Sequence, residues 1–232
     1  MKKILLLVSL VLILFISYIN VFYFNKFKLL LNEDDIILKE EVKIEIIDNN
    51  DKKEKIEYNY IENQVGFIKI NGTNIDSKVM QYTDNDYFLT HDENGNYSIF
   101  GSIYMDYRNN VDDQKILIFG HNTKNVKTSP FKELENYGNE DFYKKNSIID
   151  LELYGVKYQY KIFSVIVNTD KNNKHMKLYF KNDDWSNHLK WLKDDSIYDT
   201  NVDVNPQDYV ITLQTCYYNP DNSLIIISAK RI

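Results

Sequence analysis

Three textures of apolar and polar positions divide the chain. Residues 4–24, ILLLVSLVLILFISYINVFYF, carry no charge. As a helix at ~1.5 Å per residue this stretch spans about 32 Å, close to the ~30 Å of a bilayer's hydrocarbon core. Lys2 and Lys3 precede it, so the positive-inside rule puts residues 1–3 in the cytoplasm and the chain from residue 25 onward outside. Tyr18, Phe22 and Tyr23 fit an interfacial aromatic belt at the outer end. The stretch is long and no small-x-small site comes after it, which favours a retained anchor over a cleaved signal peptide. Residues 25–63 are highly charged, with Ile and Leu at three-to-four spacing around 36–47; this reads as a stalk with one amphipathic N-terminal helix.

From residue 64 the texture becomes short alternating apolar runs broken by turn residues. GFIKI (66–70) meets Asn71-Gly72, a hairpin signal, and continues into IDSKVMQ. Further strands are expected at 97–105, 115–121, 148–155, 156–168, 208–216 and 223–230. This many short strands predicts a mainly β domain, a closed or nearly closed barrel rich in antiparallel pairs. Two helical insertions interrupt it, near 130–145 and over DDWSNHLKWLKDDSIYDT (183–200), where Trp185, Leu189 and Leu192 share a face.

Composition narrows the function classes. Length and a 44% hydrophobic, 27% charged balance fit one packed domain with an appendage. The net charge of −6 and the lack of a long basic run argue against a nucleic-acid partner. The Asp-rich turn around 84–86 lacks a spaced ligand set, so neither a metal nor another cofactor is expected. The single cysteine, Cys216, excludes an internal disulfide and leaves either an inert buried thiol or a working one.

Cys216 ends the expected strand DYVITLQTC and opens into a loop, where a nucleophile is held yet reachable. A free thiol with a pKa of about 8.5 is mostly protonated at neutral pH and requires a base. Of four histidines, His91, His175 and His188 read as solvated or structural. His121 comes directly after the apolar strand ILIFG, so two strand ends would present a Cys/His pair. All histidines precede the cysteine, the reverse of the papain-like order.

FGHN (119–122), TLQTC (212–216), MDYRN (105–109) and the N-terminal apolar segment together resemble the sortases, cell-surface transpeptidases of Gram-positive bacteria. The stretch 65–109 is similar to class B sortases over nearly its whole length, and helix 183–200 resembles the class B insertion between the sixth and seventh strands. The resemblance implies an eight-stranded sortase barrel over 64–232. It also implies a cysteine transpeptidase with Cys216 as nucleophile and His121 as acid and base. The implied partners are exported proteins bearing a C-terminal sorting signal cut after threonine, and an amine of peptidoglycan or of another surface protein. The implied location is the cell membrane, with the catalytic domain outside.

The sequence departs from the family at one position. The arginine that family members carry on the last strand aligns with Leu224, and leucine donates no hydrogen bond. Thr215, Arg108 and Arg231 are the remaining groups to consider for oxyanion or substrate support. Without that arginine, a catalytically weak sortase that binds without efficient turnover is the alternative expectation.

Overall fold

The computed structural model describes residues 60–170, 172–181 and 183–232. The expected anchor at 4–24 and most of the stalk, with its helix, lie outside the described residues. Among the described residues no helix is long and apolar enough to cross a membrane.

Eight strands close into a barrel: β1 (Gln64–Ile70), β2 (Asp76–Met80), β3 (Tyr104–Met105), β4 (Lys115–Phe119), β5 (Ile148–Leu153), β6 (Val156–Asn168), β7 (Val210–Tyr217) and β8 (Ser223–Arg231). Around the barrel their order is β1-β2-β3-β4-β7-β8-β6-β5. The pairs β2/β3 and β4/β7 are parallel and the others antiparallel. Alternate residues of β4, β7 and β8 point inward; Ile116, Ile118, Ile211, Leu213, Ile225 and Ile227 meet in one core. The outer faces of these strands are also covered, which explains why ILIF (116–119) reads as an unbroken apolar run and why β4, Lys115 included, is buried at every position. Leu117 and Phe119 pack under Phe88, Met80 and Tyr104. Val210 and Ile226 pack under Trp185, Leu189 and Leu192.

Among the described residues, the insertion between β6 and β7 contains one α-helix, α2 (Asp184–Asp194), preceded in the chain by α1 (Glu140–Lys145) between β4 and β5. Helix α1 is capped by Asn139, whose side chain accepts from the Asp141 amide at 2.8 Å. Helix α2 is shorter than the expected 183–200. Residues beyond it leave the helix to bond along β6: the Ile197 amide donates to the Val165 carbonyl at 2.8 Å and the Thr200 hydroxyl to the Phe163 carbonyl at 2.8 Å. Within 130–145, Lys132–Gly138 is a 3₁₀ turn rather than α-helix.

The expected strand 97–105 contracts to Tyr104–Met105. Gly101 adopts φ +56°, outside the extended region, and its amide closes a turn onto the Ser98 carbonyl at 3.0 Å. The resulting loop, 81–103, arches over the outer face of β4. The turn after Ile70 is longer than the two-residue hairpin signal implied, with residues 71–75 linking β1 to β2.

Candidate active site

Strand β7 presents Cys216 on its outer face, and this is the one exposed residue of the strand. Its neighbours Thr215 and Tyr217 are buried, with Tyr217 in the core. β4 runs parallel to β7 in a register that ends at Phe119 opposite Gln214. His121 and Cys216 each lie two residues past that last pair. Strand pairing thus brings the two sequence-distant residues to the same end of neighbouring strands, just past the last β4/β7 pair.

Two features shape the end of β4. Gly120 packs against the Phe131 ring so closely that a Cβ there would lie 2.8 Å from Phe131 Cδ2, which excludes any other residue without displacement. His121 is oriented by the loop over β4: its Nε2 lies 2.9 Å from the Leu89 carbonyl. A carbonyl only accepts, so Nε2 carries the hydrogen and Nδ1 is left free to exchange a proton with a thiol. Leu89 closes the 3₁₀ turn Tyr87–Leu89, whose Phe88 is buried against Leu117 and Phe119. Sequence reasoning missed this main-chain contact, which leaves no residue-type signature.

The other expected support residues lie elsewhere. Thr215 is buried, and its hydroxyl donates to the Gly120 carbonyl at 2.7 Å, so it braces β7 to β4. Arg108 is engaged by Asp106 through Nε at 2.8 Å and through a terminal nitrogen at 2.7 Å. It sits in the loop before β4, at the end of that strand opposite His121. Arg231 sits over the Tyr209 ring, its Cζ 3.8 Å from the centroid, seven residues along β8 from Leu224 and thus ~23 Å away. Leu224 itself pairs directly with Cys216. An apolar side chain thus occupies the strand position facing the thiol.

Beneath the insertion lies a buried polar cluster. Lys115 Nζ donates to the carbonyls of His175 at 2.5 Å and Lys177 at 3.0 Å and meets His188 Nε2 at 2.9 Å. Burial, with the Arg108 charge adding to it, pushes the Lys115 ammonium down to about 7. Burial and the Lys115 charge likewise lower His188 to about 3, so its imidazole is neutral and accepts from the lysine. His175, also lowered mainly by burial, contacts Gln214 through Nε2. These two histidines are structural groups that hold the insertion on the barrel. Among the described residues no cluster of His, Cys, Asp or Glu could hold a metal ion.

Residues 68–232 match the family model described as Sortase domain, which is well over half of the chain. The chain belongs to the sortase family. It is 32% identical to sortase B of Staphylococcus aureus over 173 residues, covering 72% of this chain and 70% of that protein. The solved sortase B of Clostridium perfringens superposes with a TM-score of 0.69 at 36% identity, over 73% of this chain and 94% of that one. A Staphylococcus aureus sortase B–substrate complex gives a TM-score of 0.66 at 32% identity, over 73% of this chain and 80% of that one. These likenesses, with the closed eight-stranded barrel and the helix between β6 and β7, make it a class B sortase and a cysteine transpeptidase.

Proposed function

We propose that this sortase cuts exported proteins at the threonine of a C-terminal sorting signal and joins them to an amine of peptidoglycan or of another surface protein. Cys216 Sγ attacks the threonine carbonyl as His121 takes up the thiol proton. The tetrahedral adduct collapses to a thioacyl enzyme as His121 protonates the leaving amine. His121 then accepts a proton from the incoming amine, which attacks the thioester and releases Cys216. What supports this reading is an exposed Cys216 thiol on β7 and a His121 ring, oriented through the Leu89 carbonyl, just past the end of the neighbouring parallel strand β4.

Residues 4–24 hold the enzyme in the cell membrane with its catalytic domain outside; the apolar length and the two preceding lysines support this. Cys216 is the sole cysteine, so a membrane-impermeant maleimide offered to intact cells tests the location. Labelling before lysis is expected, and labelling only after lysis contradicts it.

The activity is tested by incubating the full chain, in detergent micelles, with a library of threonine-containing peptides and an amine acceptor. Cleavage with transfer is expected from the wild type and none from Cys216→Ala. An active Cys216→Ala variant rules the reading out. Leu224 opposite Cys216 favours a slow enzyme, because no side-chain cation supports the oxyanion from that position.

A further inference from the structure

The paired main-chain ladder between β4 and β7 stops at Phe119 and Gln214, two residues short of His121 and Cys216. The two reactive residues therefore sit beyond the last pair, where strand pairing no longer fixes their separation. Side-chain bonds take over at this point. Thr215 holds Gly120, the Tyr218 hydroxyl donates to the Asn122 carbonyl at 2.9 Å, and Asn122 Nδ2 donates to the Cys216 carbonyl at 2.9 Å.

The geometry points to Asn122 as a positioning residue that sets the distance between the Cys216 sulfur and the His121 ring. Asn122 is joined to the base by a peptide bond and to the main chain of the nucleophile by a hydrogen bond. It is fully buried, 1% exposed, so its amide serves no solvent or substrate. Its second Nδ2 contact is the Glu135 carboxylate at 3.3 Å, which is also held by Lys132 Nζ at 2.6 Å. Both groups facing the amide nitrogen are acceptors. Turning the amide over would set Oδ1 against a carbonyl and a carboxylate, so the orientation is fixed. The consequence is an Oδ1 that is buried with no hydrogen-bond partner. A buried polar group left half satisfied is a cost that the fold alone does not explain, and it sits beside the reacting pair.

This inference rests on Cys216 and His121 being the working pair. The test is Asn122→Asp, which keeps size and shape but replaces the donor by an acceptor. At about pH 7.5 the rate at which a threonine peptide selected from the wild-type library acylates Cys216 is expected to fall roughly 10²-fold, with KM within about threefold. The pH profile separates positioning from packing. The introduced carboxyl would face Glu135, with Lys132, His121 and Tyr217 nearby; the like charge raises its pKa, and its protonated form regains one donor. The ratio of variant to wild-type rate is therefore expected to climb as pH falls from about 8 to about 5.5. Acylation close to the wild-type rate, or a ratio flat with pH, overturns the inference. If Asn122→Asp does not fold, Glu135→Ala leaves residue 122 intact and removes the group that orients it. About tenfold slower acylation at unchanged KM is then expected, and a wild-type rate contradicts the inference. A wild type that forms no adduct on Cys216 would overturn the underlying reading instead, which keeps the two failures distinct.

Discussion

Cys216 and Leu224 are direct cross-strand partners in the β7/β8 ladder. The residue facing the nucleophile across the antiparallel pair can therefore offer only hydrocarbon. Thr215 is turned to Gly120 and Arg231 is at the far end of β8, so neither side chain replaces a cation at that position.

Leu224→Arg is accordingly expected to raise the acylation rate. Removing a preorganised oxyanion donor typically costs ~10²–10³ in rate, and an unsupported guanidinium should recover part of that, about tenfold. Single-turnover acylation of wild type and variant with one peptide checks this. An unchanged or lower rate with an intact fold would mean that the leucine position does not border the oxyanion.

Lys115 predicts an unusual dependence of stability on pH. Its folded-state pKa is about 7, against an ordinary value of 10.5. Between these values the unfolded chain holds a proton that the folded chain lacks, so stability rises with pH. Below about 7 both states are protonated and this contribution is flat. The slope approaches ~1.4 kcal/mol per pH unit. Urea unfolding of wild type and Lys115→Met at several pH values between neutrality and the onset of tyrosine ionisation should show this rise in the wild type only. Parallel curves would contradict it.

The Asp106–Arg108 pair anchors the insertion, because the guanidinium also reaches the Met176 carbonyl at 3.4 Å. Asp106 is fully buried, and burial alone would raise its pKa; hydrogen bonds from the Arg108 side chain and main chain outweigh it and hold the carboxyl below its usual range. The depressed pKa contributes stability above the ordinary carboxylate range, lost as pH falls through the folded value. Arg108→Ala should destabilise the domain by about 2 kcal/mol near neutrality, less than for a fully buried pair since the guanidinium is partly exposed. The difference should shrink in acid, as read by thermal unfolding across pH. A difference that stays constant into acid would assign the loss to packing.

The readable parts of the fold were those where burial and local pattern agree. ILIF and VITL are buried at every position because both faces of their strands are covered, and these paired strands lead on to His121 and Cys216. Alignment along the last strand singled out Leu224, but its pairing with Cys216 is visible only in the β7/β8 register. Residues 97–103 misled because apolar positions alternate there, yet Gly101 turns the chain and Tyr97 and Ile99 stay exposed. The end of α2 was hidden because Ser196, Ile197 and Thr200 leave the helix to bond to β6. Leu89 and Asn122 illustrate a different limit. One acts through its main chain, which any residue type could supply, and the other depends on a tertiary contact with Cys216 that no local spacing records.

Intact mass spectrometry of the full chain, quenched shortly after mixing with the best library peptide, addresses the thioacyl step itself. A mass increase equal to the acyl fragment ending in threonine, localised to Cys216, absent from Cys216→Ala and strongly slowed in His121→Ala, is the predicted result. Peptide cleavage with no adduct on Cys216, or equal cleavage by Cys216→Ala, would contradict the account.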